Sequence, residues 1–137
     1  MYNRILLAVD GSEHAKKAVS SAAELAKASD GEIRVFNVRE VDVAKLGGAI
    51  AETPDEAAEL VNGFVHDLHE QGVKASGNAR SAAFGRAAQE ILDEGKSFGA
   101  DLIVMGSRGL SDFKALLLGS VAHKVLQHAE SPVLVIR

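Results

Sequence analysis

No cysteine occurs in this chain. That absence excludes disulfides, thiolate catalysis and cysteine-ligated metal together, and it suits a reducing cytoplasm. Tryptophan is missing and Tyr2 is the lone tyrosine, so the chain lacks the rings on which single-stranded nucleic acid stacks. Positive charge is scarce. Fifteen Lys and Arg face nineteen Asp and Glu, and the net charge of −4 has the wrong sign for a duplex-binding surface. No apolar run reaches the ~18 residues of a bilayer span. The opening Met1-Tyr2-Asn3-Arg4-Ile5 runs into an apolar stretch with no small-residue cleavage site, which reads as no signal peptide. Neither nucleic acid nor membrane is therefore an expected partner, and the expected location is cytoplasmic. What remains is a chain of 137 residues that is 47% apolar, enough for one packed domain over residues 1–137 and too few for two.

Apolar periodicity orders the chain. Arg4–Val9 is a continuous apolar run, the pattern of a strand buried on both faces. Ser12 is a candidate helix cap, and Ala15, Ala18, Val19, Ala22, Leu25 and Ala26 follow at helical spacing until Asp30-Gly31. Glu32–Val38 is rich in β-branched residues and reads as a second strand. Arg39–Glu52 shows no period. Thr53 and Pro54 mark a helix start, with Ala57, Leu60, Val61, Phe64 and Leu68 on its apolar face. Val73–Arg80 reads as a weak edge strand interrupted by Gly77. Phe84, Ala87, Ala88, Ile91 and Leu92 mark a third helix. Asp101–Met105 is a strand, Ser120–Ala129 a helix and Pro132–Ile136 the last strand. Strict alternation of five strands and four helices predicts α/β architecture, a doubly wound parallel sheet with helices on both faces joined by right-handed crossovers. Ligands in such sheets sit beyond the carboxyl ends of the strands, where strand order reverses. Asp10 and Gly106 both lie there if the order is 3-2-1-4-5, an order that periodicity alone does not fix.

Glycines cluster where the fourth strand ends and recur where the last helix begins: Gly106, Gly109, then Gly119-Ser120-Val121. Glycine lets backbone N–H groups approach an anion, and a helix N-terminus offers unpaired donors with partial positive charge. The pattern reads as a nucleotide-binding loop. No GxGxxG follows the first strand and no GxxxxGK[ST] exists, which sets aside a dinucleotide dehydrogenase and a Walker-type NTPase.

The spacing Gly106-x2-Gly109-x9-Gly119-Ser120 resembles the signature of the universal stress protein family. The likeness extends to Asp10-Gly11-Ser12, to Asp101-Leu102-Ile103-Val104-Met105 and to Ser131-Pro132-Val133-Leu134-Val135-Ile136, and so covers the whole chain. It implies an adenine nucleotide alpha hydrolase-like fold and the ATP-binding branch of the family. Carried over residue by residue, it places Asp10 on the ribose hydroxyls, since a carboxylate accepts two bonds from a cis-diol. Val38, Ala8 and Met105 line the adenine pocket, and Gly106 lets the chain pass the ribose. Gly109, Gly119, Ser120 and Val121 offer N–H groups to phosphates, and Arg108 reaches one. The implied cofactors are ATP and Mg²⁺ carried by the phosphates. The family pairs through its last strand, which implies a homodimer joined at Pro132–Ile136. The third strand departs from the family by lacking a Gly-x-Pro pattern after Gly77.

Other residues carry weaker chemistry. Asp112 could hold the divalent ion, and Lys114 could attract phosphate, against the plainer reading of both as solvated. His66 and His69 share a helix face without a third ligand. His14 reads as exposed; His123 and His128 lie on the last helix, where His123, one turn past the phosphate-binding turn, could have a weak role against the plainer reading of both as solvated. No residue has an orienting partner of the kind that acid–base or nucleophilic catalysis needs, so no catalytic and no metal site is assigned. The expected function is a nucleotide-responsive stress or signalling module with at most slow hydrolysis. The alternatives are a nucleotide-free dimeric scaffold, in which the glycines only shape turns, and a true ATPase or nucleotidyl transferase using Asp112 and His123.

Overall fold

The computed structural model describes residues 2–41, 53–108 and 118–137. Its elements are β1 (Arg4–Ala8), α1 (Glu13–Ser29), β2 (Glu32–Val41), α2 (Pro54–Glu70), β3 (Lys74–Ala83), α3 (Ala87–Phe98), β4 (Leu102–Gly106), α4 (Ser120–His128) and β5 (Val133–Ile136). All strand pairs are parallel and the order is β3-β2-β1-β4-β5, the expected 3-2-1-4-5.

The apolar runs follow from this layering. In β1, Ile5 and Leu7 point to one face and pack with Ile33, Val35, Val104, the alanine stripe of α1 and Val61 and Leu68 of α2. Leu6 and Ala8 point to the other and pack with Phe36, Ile103, Met105, Ala88 and Ile91 of α3 and Ala122 and Val125 of α4. A central strand between two helical layers has no solvated side, so alternation of apolar and polar residues disappears. Helix starts are set by side chains. Ser12 Oγ accepts from Ala15 N–H at 3.3 Å and Thr53 Oγ1 from Glu56 N–H at 3.1 Å, each satisfying a donor that the helix leaves unpaired.

The β2–β3 side differs from expectation. Both strands run ten residues, three beyond the sequence-based ends at Val38 and Arg80, and pair in register from Glu32↔Lys74 to Val41↔Ala83. Gly77 does not interrupt β3. A Cβ there would collide with Val61 Cγ1 and approach Val65 Cγ2 to 2.9 Å, so glycine is what lets α2 lie close on the sheet. Side chains lace the pair: Arg34 Nε donates to Ser76 Oγ at 2.7 Å and Arg39 to Ser81 Oγ at 3.0 Å. Phe84 is not on a helix face. It precedes α3 and is 72% exposed. The start of α3 is instead held by Glu40 of β2, whose carboxylate accepts from Gly85 N–H (2.7 Å) and Ala87 N–H (3.1 Å).

An ion cluster joins these strands to α3. Glu94 is 3% exposed and receives Arg34 at 2.8 Å and Arg80 at 3.0 Å, while Arg80 also reaches Glu90 at 2.9 Å. The hydrogen bond to Glu90, with the two neighbouring carboxylates, raises the Arg80 pKa further above its already basic value, so this cation stays charged at any pH the fold survives. Removing Glu94 leaves Arg34 without its carboxylate partner and Arg80 with Glu90 alone. Glu94→Ala is expected to lower stability by about 1.5–3 kcal/mol, the range for hydrogen bonds to charged groups, with Glu94→Gln intermediate, as read from urea midpoints.

Candidate functional site

Strand order reverses between β1 and β4. The chain leaves β1 toward β2 on one side and enters β4 on the other, and the carboxyl ends of this pair open a crevice. Ala8 and Met105 are register partners across it, so Asp10 and Gly106 emerge side by side. Ala8 and Met105 are buried, and Val38, Val121 and Leu118 pack against the cluster that contains both. Four of the apolar residues singled out by sequence, from four different elements or their edges, thus gather on one face at one end of the sheet.

Asp10 is fixed by its own turn. One carboxylate oxygen, Oδ1, accepts from Ser12 N–H at 2.8 Å, an Asx-type turn that leads into α1. The backbone behind it is pinned to β2: Val9 N–H donates to Phe36 O at 2.9 Å, and the side-chain amide of Asn37, 1% exposed, donates to Val9 O at 2.9 Å. Asn37 was not singled out from sequence, although a lone amide inside an otherwise strand-like stretch (EIRVFNV) is the signal that marks it.

Gly106 has a second reason to be glycine. A Cβ on it would lie 2.7 Å from His14 Cβ and 3.3 Å from the His14 carbonyl carbon. The first turn of α1 therefore sits directly on the end of β4, and His14 is half-buried against it rather than exposed. Ser107 is another residue that the pattern reading passed over. It is 3% exposed. Its N–H donates to Ile136 O at 2.7 Å and its carbonyl accepts from Gly119 N–H. One residue thereby ties β4 to the end of β5 and to the start of α4. Backbone groups do this work, so residue type gave no signal.

Helix α4 begins at Gly119, which caps it with extended backbone (φ −67°, ψ 159°) and no side-chain bond. Its first turn has no acidic residue, whereas α1, α2 and α3 carry Glu13, Asp55 with Glu56, and Glu90 there. The positive end of α4 therefore has no carboxylate of its own in the first turn, and the Gly119 N–H is taken by Ser107 O. Ser120 is exposed, and Val121 and Arg108 are half-buried. Gly109 lies outside the described residues, as do Asp112, Lys114 and positions 42–52 of the irregular connection. Among the described residues no group of three or more His, Asp or Glu could hold a metal ion. His66 pairs with Glu70 at 3.5 Å and His69 bonds Ala75 O at 2.8 Å. His123 and His128 are exposed. A cleft of about 340 Å³ lies at the opposite end of β4, lined among others by Gln89, Lys96, His128 and Glu130, and contains none of the sequence-derived site residues.

A family model for the universal stress protein family matches residues 1–137. The chain is 36% identical over 152 residues to universal stress protein YxiE of Bacillus subtilis, with all of both chains covered. Among solved structures it is similar to a universal stress protein from Archaeoglobus fulgidus (TM-score 0.78, 25% identity, all of both chains covered). It is also similar to the universal stress protein from Archaeoglobus fulgidus in complex with dAMP (TM-score 0.73, 25% identity, 99% of this chain and 98% of that one).

The contact between Gly106 and His14 yields a prediction independent of any ligand. Gly106→Val should destabilise the fold by about 1–3 kcal/mol through overpacking, seen as a lower urea midpoint with an unchanged m-value.

Proposed function

The chain belongs to the universal stress protein family, and on that premise we propose that it is an adenine-nucleotide-binding member taking ATP with Mg²⁺. The observation that carries this reading is the meeting of three features in one crevice. They are the apolar face of Ala8, Val38 and Met105, the turn-fixed carboxylate of Asp10 and the acid-free start of α4. Each suits a different part of one molecule: base, ribose and phosphates. The relative bound to dAMP supports the ligand class.

In this proposal Asp10 accepts from the ribose hydroxyls, and Ala8, Val38 and Met105 flank the adenine. Gly106 supplies the close approach, which a larger residue would also deny to His14. Gly109, Ser120 and Val121 donate backbone N–H groups to phosphates, while Gly119, whose own N–H is given to Ser107 O, lets the chain pass close to them; Arg108 adds a cation, and Mg²⁺ rides on the phosphates with water as most of its remaining shell. The whole arrangement serves binding rather than turnover, so hydrolysis is at most slow. The chain acts as one domain, in the cytoplasm, as a nucleotide-responsive stress or signalling module.

It also pairs with a second copy through β5. The two sheet edges differ in kind. The β3 edge carries Lys74, Ser76, Asn78 and Ser81, a charged and polar strand of the kind that resists self-pairing. The β5 edge is Val133-Leu134-Val135-Ile136, uncharged and half-buried at every position, so self-pairing sets apolar side chains opposite one another under a two-fold axis.

Thermal unfolding with and without Mg-ATP tests the ligand. At ~100 times its Kd the nucleotide should add ~2.7 kcal/mol of stability, and Gly109→Val/Gly119→Val should abolish the shift. An unshifted midpoint at millimolar ATP in a folded wild type would reject the reading. Val135→Glu should run as a monomer in light scattering, and a dimer there would reject the β5 interface.

A further inference from the structure

Ser107 adds one bond to the β4–β5 ladder and, through its other backbone group, joins that ladder to the start of α4. Its two backbone groups face opposite ways. The N–H holds the Ile136 carbonyl at 2.7 Å, and the carbonyl holds the Gly119 N–H. It is flanked by Gly106 and Arg108 on one side of the crevice and by Gly119 and Ser120 across it. Ile136 is the last residue of a strand only four residues long, and Gly106↔Ile136 is the last register pair of the β4–β5 ladder. The bond from Ser107 therefore closes the ladder at the end where a short edge strand frays most easily.

We propose that occupancy of the crevice and pairing of β5 with a second copy of the chain are thermodynamically coupled through Ser107. The inference rests on the nucleotide-binding reading above. A nucleotide that contacts both the β4 end and the α4 start can bind only when those two segments are held together, and that is the arrangement in which Ser107 bridges them and clamps Ile136. Without ligand, the bridge opens more often, the end of β5 frays, and the edge that a second copy must recognise is incompletely formed. Ligand binding selects the closed bridge. By reciprocity, pairing of β5 must then raise the affinity of each of the dimer's two nucleotide sites, by the square root of the factor by which saturating nucleotide tightens the dimer. The two sites are distinct, the bistable element between them is the end of the β4–β5 ladder, and the contacts that differ between its states are the two bonds of Ser107.

The test uses the full wild-type chain. The dimer dissociation constant is measured by sedimentation with and without saturating Mg-ATP, and the ATP dissociation constant is measured below and above the dimerisation range. The per-site affinity ratio should fall within about 5–150-fold, the usual span of site-to-site coupling, and the dimerisation ratio should be its square, because each dimer carries two nucleotide sites. Bound ATP with both ratios at one overturns the coupling and leaves the nucleotide reading standing. Bound ATP on a chain that never dimerises also overturns it. Failure to bind ATP at all overturns the nucleotide reading itself, and the coupling with it. A second measurement tests the route. Below the dimerisation range, ATP should slow hydrogen exchange of the Ser107 amide, and unchanged exchange there with ATP bound rejects Ser107 as the link. Ser107→Pro, which removes the donor, should bring both ratios to one where far-UV circular dichroism shows it folded; a folded variant that keeps the wild-type ratios rejects the route as well.

Discussion

The parallel pairing of β1 with β4, in the register that sets Ala8 beside Met105, is the constraint on which the rest depends. Because the chain winds away from this pair in both directions, the two strand ends carry no crossover between them and leave an open crevice. The register decides what emerges there. A slip of one residue in either strand would turn that strand's side chains to the opposite layer, separate Ala8 from Met105 and part Asp10 from Gly106. Burial on both faces makes such a slip prohibitive, since Ile5, Leu6 and Leu7 are fully enclosed. The same interaction that stabilises the core therefore positions the candidate site.

Around that pair, two polar devices hold the crevice walls. Asn37 and Asp10 fix the β1 side by bonding to backbone, and Ser107 fixes the β4 side. Farther out, Glu40 and the Arg34–Glu94–Arg80 cluster join β2 and β3 to α3. Beyond Val38 and Arg80, Arg39 laces the β2–β3 pair to Ser81, Phe84 N–H donates to Val41 O past the last rung, and Glu40 ties the end of β2 to the start of α3. The carboxyl end of the sheet is consequently built from charged and polar bonds on one flank and from apolar packing on the other.

Much of this was legible in the sequence. The unbroken apolar runs of Arg4–Val9 and Asp101–Met105 named the central strands, and Ser12, Thr53 and Pro54 marked helix starts, because burial and capping act through residue type. Periodicity did not fix the strand order, and the fold implied by the resemblance supplied it. What escaped was tertiary. Phe84 looked like part of a helix face because its spacing to Ala87, Ala88 and Ile91 is helical, yet Glu40 caps α3 two residues later. Gly77 looked like a break because α2, which excludes a side chain there, lies elsewhere in the chain. Ser107 and the contact of Gly106 with His14 depend on backbone positions that no residue pattern records.

The central claim is that the carboxyl ends of β1 and β4 bind an adenine nucleotide. The measurement that tests it most directly is a titration of the isotopically labelled protein with Mg-ATP, followed by amide NMR shifts. The account predicts that the large shifts fall on Gly106, Ser107, Gly119, Ser120 and Val121, with Gly99 and Ser131 at the opposite end unmoved. Shifts concentrated around the Lys96–Glu130 cleft, or none anywhere at saturating millimolar nucleotide, would contradict it.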